Sequence, residues 1–534
     1  VGMMDNRAEP STRSAARDAA TVAGWTLMSR MTGLLRVVVA GAVMGPTFFG
    51  NTFQIAYVLP GLVYSTIAGP VLGMVLVPAV VSAVERSGHA HARAVSAGVA
   101  FRVLVLAAGA SIALLALAPM IAWLVTLGYP AALVDLGEAR RLAILLFLFV
   151  VPQIILYSVA ALGVAAQQAH GRFAISAGAP AVENLGLVAT VSVAGFVWGT
   201  GLEIGQVPNS MIVWLGLGST LSVALHALLQ CIGAARCGML VRPSLRAARS
   251  PDAADPVQRL LRSVGVAAWP SLSMFVVLTC AGTVAGGVII AQMAYAVYNA
   301  AAYLTGRAVS IAALPRLARA AAGNGVDLAT RWRQCTGFAL LTSVPVLVAL
   351  SVLAMPVADV LARGRLAEPG VIRDLAAVLV VVAIAQLIGG VHDLGRQALF
   401  VTRNEIRARR GSEVASVATL ATAALALLVP VEGHRIVVLL LAIPIGELSG
   451  ALVVLAAVRA TVGSARLLDG TAAVASVVGS VAMLPVLLAG LLWYTTALPG
   501  TASTVGIVVI VSAAAVTAYA LAVHRRIPQV GREG

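Results

Sequence analysis

The chain contains no lysine, so its 36 basic residues are all arginine, set against 21 acidic ones for a net charge of +15. Charge of either sign is scarce, at 11% of residues, while 60% are hydrophobic and the mean hydropathy is +0.97. That balance excludes a soluble globular chain. Room for a soluble domain is also lacking, because the longest connection between apolar segments, Cys237 to Arg262, reads as a loop. The four cysteines, Cys231, Cys237, Cys280 and Cys335, show no metal-ligand spacing with histidine. There is no Walker A run, zinc spacing or nucleophile constellation, which argues against hydrolysis and against ATP-driven transport within the chain. No catalytic residue, cofactor, metal or nucleic-acid partner is expected. The segment to about Ala20 has no apolar core, so no cleavable signal peptide is expected and the first span serves as the insertion signal.

What the sequence does have is apolar segments. A membrane-crossing helix needs roughly 20 such residues. Spans are read at approximately 19–45, 49–83, 95–127, 141–168, 173–197, 209–235, 263–291, 294–322, 336–362, 374–401, 411–430, 436–458, 471–496 and 502–523. Pro119 and Pro356 interrupt the third and ninth, predicting a short outer half-helix in each. With the N-terminus in the cytoplasm, 25 arginines lie on inner segments and six on outer loops. The positive-inside rule then places both termini in the cytoplasm. Arg30, Arg36, Arg102, Arg307 and Arg396 fall inside spans.

Three features repeat. Gly69 to Pro78 and Gly306 to Pro315 each set a glycine and a proline around eight residues, at an offset of 237, and Pro119 and Pro356 share that offset. The segments at Pro152-Gln153 and Ala385-Gln386 align at an offset of 233. Six spans per repeat give both copies one orientation, with the symmetry axis along the membrane normal. The expected fold is therefore an all-α polytopic membrane protein of about 14 transmembrane helices: two six-helix bundles in pseudo-two-fold relation, plus two C-terminal helices. By residue, this is a tail at 1–18, a bundle at 19–235, a basic cytoplasmic loop at 236–262, a bundle at 263–458, extra helices at 471–523 and a tail at 524–534.

The stretch Ser29-Arg-Met-Thr-Gly-Leu-Leu-Arg36, with Ala40 to Gly45, resembles the first helix of the bacterial lipid II flippase family (the MurJ or MviN type), within the multidrug/oligosaccharidyl-lipid/polysaccharide exporter superfamily. Phe53 to Pro60, Pro152-Gln153, Gly171-Arg172-Phe173, Ala179-Pro180 with Asn184, and Ala313 to Leu317 are similar to later parts of its pattern. The extra helix pair fits too. The resemblance implies alternating access by two bundles and a lipid-linked anionic glycan as substrate. It also implies residence in the bacterial cytoplasmic membrane and a role in cell-wall biogenesis. Departures stand at Val37, Asn51 and Gly69, where the family usually carries acidic residues, and at Tyr64, Ser65 and Ala296, where it carries basic ones.

An ionised side chain at membrane depth costs a few kcal/mol or more and is usually kept for function. Arg30 and Arg36, roughly 9 Å apart along a helix, are expected to bind the substrate diphosphate through their forked donors, against the alternative that Arg30 snorkels to the inner surface or caps helix carbonyls. Asn51 and Asn299 are candidates for hydrogen bonds to sugar or peptide groups, against the alternative that they bridge helices. Glu183 and Glu447 have no neighbouring partner in sequence and are candidates for ion coupling. Asp393 and Arg396, at i and i+3 beside His392, are expected to neutralise each other. The arginines at 242, 246, 249, 259 and 262 suit anionic lipid heads. Three functions compete: a flippase for lipid II or another lipid-linked glycan, an ion-coupled exporter of small cations, and a non-transporting paralogue that assembles with cell-wall synthesis proteins. The second would call for acidic cavity residues, and none lies between Ala19 and Val84.

Overall fold

A computed structural model describes residues 12–67, 69–321, 325–462, 467–496 and 500–524. The first half comprises α1 Thr12–Met44, α2 Phe48–Ile67, α3 Gly69–Ala116, α4 Ala118–Val125, α5 Leu136–Val150, α6 Gln153–Ala169, α7 Ala174–Trp198 and α8 Asn209–Arg236. A short α9, Leu245–Ala248, leads to α10 Pro251–Ala281. The second half continues with α11 Gly287–Leu304, α12 Gly306–Ala321, α13 Gly325–Val352, α14 Ala354–Leu361 and α15 Pro369–Val401. Then come α16 Glu405–Ala426, α17 Glu432–Leu440, α18 Ala442–Val462, α19 Gly470–Thr496 and α20 Thr501–His524. No strand occurs among the described residues.

Eleven helical stretches among the described residues are long and apolar enough to cross a membrane. The expected spans at 49–83, 263–291 and 411–430 are not among them. The first crosses residue 68, which lies outside the described residues, the apolar stretch described in α10 is Ala268–Ala281, and α16 opens with charged turns.

Local chemistry explains the breaks. The third and ninth spans do end in separate eight-residue helices, α4 and α14, after breaks at Leu117 and Leu353. Pro119 lies in the first turn of α4, where its missing N–H costs nothing. The loop expected between the second and third spans is replaced by a kink within α3 at Gly88, with φ 79° and ψ 176°. A side chain there would be strained. The basic stretch at 236–262 is more ordered than a loop: Ser244 and Ser250 accept from the amides of Ala247 and Ala253 and start α9 and α10. Arg102, one of the five arginines expected inside spans, donates from Nε to the Ala248 carbonyl at 2.7 Å.

Between apolar helices in lipid, association rests on close packing and small residues. α1 lies on α7, α7 on α8, and α3 and α8 on α6. In the second half α18 packs on α15 and α16, and α12 and α13 pack on α15. The halves meet where α10 packs on α2 and α3, and where α11 packs on α1 and α2. The last two helices pair with each other, with α19 against α13 and α20 against α14. At the crossing of α12 and α15, a Cβ on Gly306 would stand 2.5 Å from Gly390 Cα. Gly306→Ala should therefore push these helices apart and cost about 1–3 kcal/mol. A lowered midpoint for the purified protein in thermal unfolding would register that cost, whereas an unchanged midpoint would disprove the tight crossing.

Candidate functional site

Arg30, exposed on α1, places its guanidinium carbon 4.3 Å from the centroid of the Tyr303 ring on α11. Arg307 of α12 approaches the same ring at 5.1 Å. One ring thus gathers a cation from each half, an arrangement worth roughly 0.5–2 kcal/mol per cation–π contact. Arg307 also donates from Nε to Asp393 Oδ2 at 2.7 Å, and Arg396 reaches Asp393 Oδ1 at 3.2 Å. The expected i, i+3 pair is present, but Asp393 serves a second arginine from another helix.

Arg36 points elsewhere. Its guanidinium carbon lies 4.8 Å over the Tyr57 ring of α2, and its Nε is buried without a hydrogen-bond partner among the described residues. Beside it is Glu183 of α7. The Glu183 Oε1 atom accepts from Tyr157 at 2.7 Å and from Tyr57 at 3.3 Å, while Oε2 meets His226 Nδ1 at 2.7 Å. The neighbouring Asn184 donates to the Ser29 carbonyl and to Thr32, fastening α7 to α1 below Arg36. Arg30 and Arg36 thus face different surroundings, one the opposite half and the other the carboxylate of its own.

Glu447 of α18 has a matching environment. Its Oε2 lies 2.7 Å from His392 Nδ1 and its Oε1 accepts from Tyr298 at 3.1 Å. Neither histidine was chosen as a site residue from sequence, and the tyrosines were not singled out either. A polar residue inside an apolar span is the one signal that could have flagged them.

Asn51 is fully buried at the seam between the halves. Its amide donates to the carbonyls of Gly282 at 3.2 Å and Val284 at 2.8 Å, and its oxygen accepts from the Val288 amide at 3.1 Å. In this arrangement the side chain is committed to bridging, the alternative to a substrate contact. Close by, Gln292 donates to the Gln54 carbonyl and Arg365 to Thr200. Asn299 is half-buried and donates to the Tyr295 carbonyl of its own helix. The departures at Tyr64 and Ser65 have neutral uses: Tyr64 lies against Tyr157, and Ser65 shares a hydrogen bond with Ser271 of α10. A cleft of about 330 Å³ opens between the ends of α6 and α8 and the start of α7, lined by Gln167, Arg172, Phe173 and Arg236 among others.

Apolar helices in this number, with intramembrane arginines and carboxylates held by partners from other helices, define a multi-pass membrane transporter rather than an enzyme. The chain belongs to the lipid II flippase MurJ family, whose pattern it matches over residues 40–514. Among solved structures, it is similar to one described as lipid II flippase MurJ in an inward closed conformation, with a TM-score of 0.74 at 14% identity over 95% of this chain and 98% of that one. An inward-facing multidrug resistance MATE family transporter of the MOP superfamily gives 0.58 at 16% identity, over 82% and 94%. A MOP superfamily transporter from Pyrococcus furiosus gives 0.53 at 15% identity, over 84% and 95%.

Proposed function

We propose that this protein flips a polyprenyl diphosphate-linked cell-wall glycan precursor, with peptidoglycan lipid II as the first candidate, from the inner to the outer leaflet of the bacterial cytoplasmic membrane. The observation that carries the reading is the pair of arginines from opposite halves on the Tyr303 ring. Two guanidinium forks suit a diphosphate, and a ligand bound between halves can respond to their relative motion. Arg36 joins as a third cation once the halves part. The architecture proposed for this cycle is fourteen spans: the eleven apolar stretches, plus α2 with the start of α3, α10 and α16. They form two six-helix bundles about an axis along the membrane normal. α19 and α20 then flank the second bundle, where a groove can take the lipid tail.

Complementation of a lipid II flippase depletion strain tests the function, with expression and membrane insertion verified. Growth restored by the wild-type chain is the expected result; a well-inserted chain that never restores growth would remove lipid II as substrate. The departures at Tyr64, Ser65 and Ala296 favour a second reading, a different lipid-linked glycan, because neutral contacts stand where the family has charge.

Orientation is open to a direct check. In a background with all four cysteines replaced, cysteines at Gly205 and Gly370, both exposed with open space around them, should react with an impermeant thiol reagent from outside intact cells, and those at Arg246 and Ile406 should not. Reaction in the opposite sense would invert the topology.

A further inference from the structure

Each half of the molecule buries one histidine against one glutamate, with a tyrosine hydroxyl on the other carboxylate oxygen. In the first half the members are Glu183 on α7, His226 on α8, and Tyr157 and Tyr57 on α6 and α2. In the second they are Glu447 on α18, His392 on α15 and Tyr298 on α11. The Nδ1 to Oε2 distance is 2.7 Å in both. Under the proposed repeat, α2, α6 and α8 correspond to α11, α15 and α18, so three of the four helices of the first site have counterparts in the second, while Glu183 sits on α7, whose counterpart α16 supplies no member of the second trio. Their side chains are nevertheless distributed differently: the last of the three carries the histidine in one half and the carboxylate in the other. Inheritance of a fixed residue pattern does not require the same trio to be assembled by different routes.

The ring nitrogen on the far side of each pair decides what the trio can bind. With Nδ1–H donated to the carboxylate, Nε2 is the free basic atom. His392 is only 4% exposed, and its Nε2 is buried with no hydrogen-bond partner among the described residues. Gly411 of α16 and Gly450 of α18 close around that ring, with no room for a side chain on Gly450. Nε2 of His226 lies 3.4 Å from the amide nitrogen of Gln230, whose oxygen in turn accepts from Gln167 at 2.7 Å. Gln167 lines the cleft beside Arg172 and Arg236, so a continuous polar line runs from that opening to Glu183.

The surrounding charges balance when both imidazoles are neutral. Glu183 faces Arg36 from α1, the two tyrosines, and His226. Glu447 and Asp393 are set against Arg307 from α12 and Arg396 from α15, with Tyr295 and Tyr298 from α11 alongside and Ser412 of α16 bonded to Arg396. A proton on either Nε2 therefore adds one net positive charge to a neutral cluster. Its new N–H has no acceptor at His392 among the described residues and meets an amide donor at His226.

We propose that His226 and His392 are proton-binding sites, one in each half, each held as acceptor by its glutamate, and that occupying them opens the packing around them and so links transport to the proton gradient. The step adds one N–H bond at Nε2 and breaks none in the protein. The imidazolium it forms stays paired with the carboxylate, while Gln230 must turn its oxygen inward and His392 must gain water or a new acceptor. The linkage to transport rests on the flippase reading above, but the proton sites themselves do not.

The test uses the full-length chain in lipid, with His89, His91, His170, His434 and His524 replaced by glutamine so that only the two buried imidazoles remain. Infrared difference spectra recorded between acid and alkaline buffers should contain histidine ring bands that appear together with shifts in carboxylate bands. His226→Gln and His392→Gln should each remove one set, and the double variant both. Tyr157→Phe and Tyr298→Phe keep each pair intact and should alter the carboxylate bands without abolishing the histidine ones, which covers the case of a glutamine variant that fails to fold. No histidine titration in the parent, or bands untouched by any of these changes, would overturn the proposal. In proteoliposomes, an imposed pH gradient should change the initial rate of lipid II flipping several-fold, with the response lost in the double variant. Flipping that ignores the gradient would refute the linkage. Titration that persists in a protein unable to flip lipid II would instead defeat the substrate assignment and leave the proton sites standing.

Discussion

Arg36→Ala should reduce flipping by about 10- to 100-fold, the equivalent of losing one charge-assisted hydrogen bond of roughly 1.5–3 kcal/mol to the substrate. The guanidinium lies over Tyr57 with its Nε unpartnered among the described residues, so it holds donor capacity that nothing in this arrangement uses. Arg36→Lys should recover only part of the activity, because an ammonium keeps the charge and loses the fork. A competing role is visible in the same geometry: Arg36 is the cation facing Glu183, and its removal would leave that carboxylate to His226 and the two tyrosine hydroxyls. The double variant Arg36→Ala/Glu183→Gln separates the two. If Arg36 only balances Glu183, removing both should return activity toward that of Glu183→Gln alone. If Arg36 binds substrate, the double variant stays as defective as Arg36→Ala. A flippase assay on equal amounts of folded protein decides between them, and Arg36→Ala with full activity would end the substrate role.

Asn51→Leu should loosen the seam between the halves. The change removes two donated bonds and one accepted bond, all inside a fully buried contact. Leaving buried backbone groups unsatisfied costs about 1–3 kcal/mol each. Val284 keeps the Gly287 amide at 2.9 Å, so the smallest net effect is about 2 kcal/mol, or roughly thirty-fold in the population of the closed seam. Cysteines at Thr200 and Arg365, which lie across the same seam, provide the measurement: their cross-linking should fall sharply in Asn51→Leu. Unchanged cross-linking would show that the seam does not depend on this amide.

The same geometry revises what Asn51→Asp can do. From sequence, that change restores an acidic residue usual in the family, so improved complementation would mark a drifted lipid II flippase and loss of the native function would favour a different substrate. In the structure the carboxylate could still accept from Val288, but it would face the carbonyls of Gly282 and Val284 with no proton to donate. Asn51→Asp should therefore weaken the closed seam at least as much as leucine does.

The distribution of apolar residues and arginines along the chain was enough to establish an all-helical membrane protein with charge inside its first span. Hydropathy and backbone chemistry are local properties, so the breaks announced by Pro119 and Pro356 also appear, as α4 and α14. The family pattern was likewise legible, because motifs such as Arg172-Phe173 are contiguous in sequence. What the string of residues did not determine is which face of each helix meets which neighbour. In a soluble helix the polar face marks the outside, but helices surrounded by lipid are apolar on every side, so their rotation leaves little trace in the periodicity. Only the folded chain brings His226 to Glu183 from 43 residues away and His392 to Glu447 from 55. Only the tertiary structure commits Asn51 to backbone groups 231 to 237 residues distant and gives Arg30 and Arg307 a common ring. Such pairs were decided by packing in three dimensions, where a buried polar group must find its partner on whichever helix lies beside it.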